Sequence, residues 1–240
     1  MHPSHRTLLA LAVVAASALP ARAQAVDPSG HWEGAIKAPN REISMHVDLE
    51  KKNDGKVVAT FSNPAERLNG YPLTDVTIDG RTVRFVLKAG TGGGPFTGTL
   101  SEDAKSLSGE FVAATPQGTY ALPFSLTRTG DARFVAPPRS APIDKALEGS
   151  WTAALDVNGR QLRLALTMTN QADGTATGIF SVYDSVEIPI AIQQQASKVT
   201  IDVAVTGATY AATLDPEAGV LTGTWVQGPF SSPVTFRRAR

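Results

Sequence analysis

Hydrophobic and polar residues alternate along most of the chain. Ile43, Met45, Val47 and Leu49 interleave with Glu42, Ser44, His46 and Asp48, and Leu162, Leu164, Leu166 and Met168 interleave with Gln161, Arg163, Ala165 and Thr167. A period of two belongs to a strand with one buried face, because successive side chains leave a pleated backbone on opposite sides. The same period runs through Val83, Phe85 and Leu87 and through Val199, Ile201, Val203 and Val205. Asn53-Asp54-Gly55, Asp79-Gly80, Asp173-Gly174 and Glu217-Ala218-Gly219 punctuate these runs as turns. Beyond the N-terminal apolar run no stretch has a helical period, so an all-β chain is expected.

The alternating segments occur twice. Gly30-His31-Trp32-Glu33-Gly34 lies 119 residues before Gly149-Ser150-Trp151-Thr152-Ala153, and the same offset joins Asp54-Gly55 to Asp173-Gly174 and Phe61-Ser62 to Phe180-Ser181. The offset falls to 117 at Tyr71-Pro72 and Ile188-Pro189, to 114 at Leu107-Ser108-Gly109 and Leu221-Thr222-Gly223, and to 110 at Pro123–Arg128 and Pro233–Arg238. It shrinks only between periodic segments, as it does when loops shorten and strands are kept. Two units follow, residues 26–129 and 146–240, joined at 130–145 by a linker that contains Pro137, Pro138 and Pro142. Each is expected to hold about eight short antiparallel strands of about six residues, closed up-and-down into a small barrel that leaves no free edge. A two-sheet sandwich fits the same period.

Strand phase selects the residues that close each barrel. Trp32, Gly34 and Ile36 share a face, as do Trp151, Ala153 and Leu155; on the last strands Phe124, Leu126 and Arg128 share one, as do Val234, Phe236 and Arg238. With apolar faces inward, each unit has an Arg inside at the end of its last strand, next to the first. Trp32–Arg128 and Trp151–Arg238 are therefore expected to meet as closure pairs, the Trp face accepting the guanidinium. Small inward residues, Gly34, Gly98, Gly109 and Gly223, suit a tightly curved sheet. Trp151, Phe180, Tyr210 and Trp225 either fill the second barrel or line a pocket for a small apolar ligand, since eight-stranded barrels do both.

Gly-x-Trp on the first strand with Arg on the last resembles the calycin barrels, the lipocalin and avidin-like group. The repeat also resembles the paired non-catalytic modules that precede the catalytic domain of some exported bacterial α/β-hydrolases. The matching positions are Gly30, Trp32, Gly34, Asp54-Gly55, Ser62, Tyr71-Pro72, Leu107, Gly109, Phe111, Leu126 and Arg128. In the second copy they are Gly149, Trp151, Asp173-Gly174, Ser181, Ile188-Pro189, Leu221, Gly223, Trp225, Phe236 and Arg238. The resemblance implies a fold more than an activity. Those enzymes continue into a hydrolase, for which residues 1–240 hold no counterpart.

Composition changes the picture in two ways. Lys plus Arg number 22 and Asp plus Glu 22, and without residues 1–23, which hold Arg6 and Arg22 and no acid, the balance is 20 against 22. A phosphate-tracking surface needs an excess of cations, so a nucleic-acid partner is not expected. There is no cysteine, hence no disulfide and no thiolate chemistry. His2, His5 and Arg6 precede a run from Leu8 to Leu19, then Pro20 and Ala21-Arg22-Ala23. That is the form of an export signal cleaved before Gln24, its apolar core of about a dozen residues being short of the roughly 20 that a span requires. A periplasmic or secreted chain of 217 residues is expected, with no membrane span after cleavage.

Candidate chemistry is sparse. No Gly-x-Ser-x-Gly occurs. His31 and His46 fall on the outward face, and their counterparts are Ser150 and Ala165, so neither a His-based triad nor a zinc site is expected. The carboxylates of Asp48-Leu49-Glu50 and Ser101-Glu102-Asp103 lie at strand ends or turns. Thr91-Gly92-Gly93-Gly94-Pro95 precedes a strand and not a helix, and reads as a hairpin tip. Ser62–Gly70 is the longest polar excursion of the first unit. The expectation is a non-catalytic binding or interaction protein with no cofactor and no metal, its partner a small apolar ligand or an envelope protein. Two alternatives stay open: a stand-alone accessory module for a separately encoded exported hydrolase, and an enzyme using unrecognised carboxylates.

Overall fold

A computed structural model describes residues 26–89, 92–157, 160–182 and 186–239. The segment read as an export signal lies outside them. All the named elements are strands apart from one short 3-10 turn, Pro64–Glu66. The first unit comprises β1 (Gly30–Ala38), β2 (Arg41–Lys51), β3 (Val57–Asn63), β4 (Leu68–Pro72), β5 (Thr74–Asp79), β6 (Thr82–Leu87), β7 (Gly94–Leu100), β8 (Ser106–Thr115) and β9 (Gly118–Gly130). The second comprises β10 (Gly149–Val157), β11 (Arg160–Asn170), β12 (Ala176–Val182), β13 (Glu187–Gln195), β14 (Lys198–Val203), β15 (Ala208–Asp215), β16 (Val220–Gln227) and β17 (Phe230–Arg238).

Both units are antiparallel barrels in tandem, but they close differently. The second runs β10 to β17 in chain order and is a closed eight-stranded barrel. The first has nine strands, in the order β4-β3-β2-β1-β9-β8-β7-β6-β5. Its extra strand comes from a break. Where β13 is continuous, pairing first with β12 and from Ala191 onward with β14, its counterpart splits into β4 against β3 and β5 against β6. The split lies at Leu73, and just beyond it β5 shifts register between Thr74 and Thr77, where Asp75 takes a left-handed φ of 53°. Asp tolerates that region; the second unit has Ile192 in the corresponding place, and a β-branched residue does not. The ends of the first sheet are thus joined covalently at Leu73 and the Leu73 N–H donates to the Ala59 carbonyl at 3.0 Å, while β3 and β5 diverge beyond.

The strands vary from five residues in β4 to 13 in β9, longer in most cases than the six expected, because hairpin ladders such as Thr115 opposite Gly118 project past the core. The interiors are filled. In the first barrel Phe96 stacks between Phe85 and Phe111, at ring-centre distances of 4.8 and 4.1 Å, and meets Phe124 edge-on. In the second, Trp225 packs on Phe180 at 4.9 Å, and Tyr210 meets Phe236 edge-on at 5.2 Å. The Tyr210 hydroxyl lies 2.8 Å from the Leu221 carbonyl and 2.9 Å from that of Val234, so its one polar atom is satisfied inside the core.

One glycine sets a difference in closure. A Cβ on Gly34 would stand 2.0 Å from the Ser125 carbonyl oxygen. With no side chain there, β1 runs along β9 from His31 to Ile36. The second unit has Ala153 at this place, and among the described residues β10 pairs with β17 at Trp151–Arg238 and Thr152–Arg237.

Candidate functional site

The closure pairs lie at the rim of each barrel. Trp32 and Trp151 are fully buried, and each indole N–H donates to a carbonyl four residues earlier, of Pro28 at 3.0 Å and Leu147 at 2.9 Å. The Arg238 guanidinium sits 4.6 Å from the centre of the Trp151 ring and donates to the Glu148 carbonyl at 2.6 Å and to that of Ala146. Arg128 is in register with Trp32, and its Nε occupies the space of a missing Cβ, 2.5 Å from that position on Gly30. Gly149 has a φ of 113°, so both backbone conformation and the overlying Arg favour glycine before the Trp. The arginines are not inside as their phase suggests: Arg128 is half-buried and Arg238 exposed. Each strand reaches the barrel mouth at its Arg, where the head group keeps water on one side.

Trp151, Phe180, Tyr210 and Trp225, the residues considered as a ligand lining, are all buried in the packed interior of the second barrel. Burial raises the Tyr210 hydroxyl pKa far above its ordinary value, with a hydrogen bond to the Phe236 backbone acting weakly the other way. Burial likewise pushes up the Tyr71 hydroxyl.

The histidines depart from the expected simple outward exposure. His31 does face away from the core, yet it is 4% exposed. Its Nδ1 lies 2.7 Å from Asp48 Oδ1 and its Nε2 3.1 Å from Glu33 Oε1, with His46 edge-on at 5.5 Å. Asp48, 5% exposed, also accepts the Arg133 backbone N–H at 2.7 Å. The linker therefore lies over an outward strand face and buries it, which strand periodicity cannot reveal. The second unit replaces the His31–Asp48 pair by Ser150 and Thr167, whose hydroxyls are 3.4 Å apart. Both ring nitrogens of His31 are engaged by carboxylates, so neither is free to serve as a base toward a bound molecule. Among the described residues no group of three His, Asp or Glu side chains converges on a metal position.

The shifted carboxylates are turn residues. Asp27, Asp103 and Asp173 are each held below the ordinary range first by a hydroxyl, that of Ser29, Ser101 and Thr175 respectively, and then by a backbone N–H. A general acid needs a shift in the opposite direction. Gly92 and Gly93 of the glycine cluster pair with Ala114, extending the sheet and forming no phosphate cradle.

A broad recess lies at the seam of the first barrel. Where β3 and β5 diverge, a cleft of about 1030 Å³ opens, bounded by Val57, Val58, Val76, Ile78 and the linker residue Phe134, with Asp27, Lys51 and Lys56 at its edges. Lys52 stands over the Phe134 ring at 5.6 Å. The cleft joins an apolar floor to a rim of both charges, a composition typical of binding sites. Sequence reading missed it; the only signal was Asp75, a charged residue in the frame where the other copy carries Ile192.

No family model and no curated protein matches the chain. Among solved structures, a protein of Bacteroides fragilis NCTC 9343 provisionally described as an outer membrane protein aligns over 87% of this chain and 95% of its own, with 12% identity and a TM-score of 0.28. A protein of unknown function from the DUF3598 family of Nostoc punctiforme PCC 73102 aligns over 88% and 96%, with 16% identity and a TM-score of 0.26.

Proposed function

We propose that this is an exported, non-catalytic binding or interaction protein, working in the periplasm or outside the cell, and that the seam of its first barrel is the binding site. The observation that carries the reading is the cleft of about 1030 Å³ at the seam of the first barrel, where the corresponding place in the second is filled by the linker. Two copies of one unit share a core pattern, and the wall that stands open in the first is covered in the second by linker residues Ser140 and Ile143. The non-catalytic part of the reading draws support from His31, whose ring nitrogens are both tied to carboxylates, and from turn carboxylates held ionised by hydroxyls. Export rests on the signal-like residues 1–23. Service to a separately encoded hydrolase is the same chemistry with a particular partner, and no specific observation favours it.

Native mass spectrometry of the protein purified from its own cell envelope tests this. A chain of 217 residues carrying a discrete non-covalent mass, or a co-purifying protein, is the expected result. A bare chain that also binds nothing from envelope extracts, or turnover of a substrate lost on changing His31 or Asp48, would overturn it.

A further inference from the structure

The second barrel has the same seam, and it is occupied. The linker enters as an extended strand: Ser140 and Ala176 exchange both backbone hydrogen bonds, each at 2.9 Å. The Ser140 hydroxyl accepts the Ile192 N–H at 2.8 Å. Ile143, 6% exposed, goes into the core, clamped by Asn170, whose carbonyl takes the Ile143 N–H and whose amide donates to the Ile143 carbonyl, both at 2.9 Å. Arg139 pairs with Asp173 at one end. At the other, the Asp144 N–H donates to Gln194 at 2.8 Å. Arg139 to Asp144 is a bound peptide that happens to be covalently attached.

The barrel positions that make these contacts have counterparts in the first barrel. At the repeat offsets Ala176 corresponds to Val57, Asp173 to Asp54, Asn170 to Lys51 and Ile192 to Asp75. Val57 and Asp75 are walls of the open cleft. The chain that would fill it corresponds to residues 20–25, outside the described residues, and cleavage before Gln24 removes all but two of them. The filling strand is thus present once in the processed chain while the seam is present twice.

We infer that the open seam binds an extended peptide segment of a partner protein, adding it as a strand beside Val57. The peptide is basic at its start, carries a hydroxyl residue next and an aliphatic residue three places later, and ends in an acid. Asp54 receives the basic residue as Asp173 receives Arg139. The apolar walls formed by Val76 and Ile78 receive the aliphatic side chain. In the second barrel the Gln194 amide donates to the Asp144 carboxylate at 2.7 Å; the first barrel has Thr77 in that place, and Lys51 at the edge of the cleft supplies the cation for the terminal acid. Main-chain bonds supply affinity and the alternating side chains supply selectivity, the usual division in strand addition. This inference rests on the binding-module reading and names its ligand.

The test uses the chain from Gln24 to Arg240 and the blocked peptide Arg-Ser-Ala-Pro-Ile-Asp, followed by amide NMR. The expected result is saturable binding with a Kd on the order of 1 mM or tighter. Shifts should concentrate at residues 57–60 and 73–78. A peptide with Asp for Ile should bind about tenfold more weakly, and one N-methylated at Ser, which lacks the ladder donor, should not bind at all. Peptide changes leave the protein's folding untouched. No shift in the seam, equal binding of the N-methylated peptide, or shifts at Ala176 and Ile192 from exchange with the linker would each overturn the inference. If the seam stays silent while the envelope-purified protein still carries a ligand or partner, the binding-module reading survives without this ligand; if both fail, neither stands.

Discussion

Replacing His31 by Ser should loosen the first barrel through Asp48. The two side chains are 6% and 7% exposed and 2.7 Å apart, and Asp48 lies between β1 and the linker with no solvent to replace a lost partner. Removing one member of a buried hydrogen-bonded pair strands the other, at a cost of about 3–5 kcal/mol. Asp48 retains the Arg133 N–H at 2.7 Å, which places the effect at the lower end, about 3 kcal/mol. The second unit supplies the compensating change, because Ser150 and Thr167 occupy the same two positions. His31→Ser combined with Asp48→Thr should therefore recover most of the loss, with a coupling of about 2 kcal/mol between the two sites. Native-state hydrogen exchange read by mass spectrometry follows β1 and β2 separately from β10 and β11, which act as the internal reference. Exchange from β1 and β2 should quicken about 100-fold in the single variant and by much less in the double. A single variant within about 0.5 kcal/mol of the parent, or a double variant at least as loose as the single, would refute the argument that the pair is a buried unit and not a surface contact.

Three further outcomes follow from the geometry. Arg238→Ala removes the cation over Trp151 and two donors to Ala146 and Glu148; because the head group is exposed, the loss should be only about 1 kcal/mol, lowering the melting temperature of the second barrel by about 5 °C in calorimetry. Gly34→Ala places a Cβ on the Ser125 carbonyl and should part β1 from β9 beyond Gly34, costing about 1–3 kcal/mol and exposing the Ile36 amide to exchange, whereas Ala153→Gly should change little. Asp27 has a depressed pKa, chiefly through the Ser29 hydroxyl and then its N–H, so its contribution is fully present above the ordinary value of 3.8 and is lost as pH falls through the lower folded value. Ser29→Ala, which keeps the N–H, should reduce that acid dependence in urea melts between pH 5 and 2, and an unchanged profile would show that the hydroxyl does not hold the carboxylate.

Much of this architecture is written locally and could be read from the residues in order. A period of two at Ile43–Leu49 or Leu162–Met168 requires only that neighbours along the chain point to opposite faces, and so the strands and their buried sides were legible. Barrel closure adds the pairing of first and last strands, which sets Trp151 opposite Arg238. Tertiary structure decided what depends on segments distant in sequence meeting in space. His31 has an outward phase, yet the linker at Arg133 covers it. Arg238 has an inward phase, yet its strand reaches the rim there, and the guanidinium finds carbonyls and water. Ser140 and Ile143 read as part of a connector, and their role as a strand in the second barrel follows only from the backbone of Ala176 lying beside them. Asp75 takes left-handed backbone where the second barrel has Ile192, and only the fold shows that the wall beside it stands open in the first barrel while Ser140 covers it in the second. Periodicity specifies which face a residue takes; only the fold specifies what, if anything, comes to rest on that face.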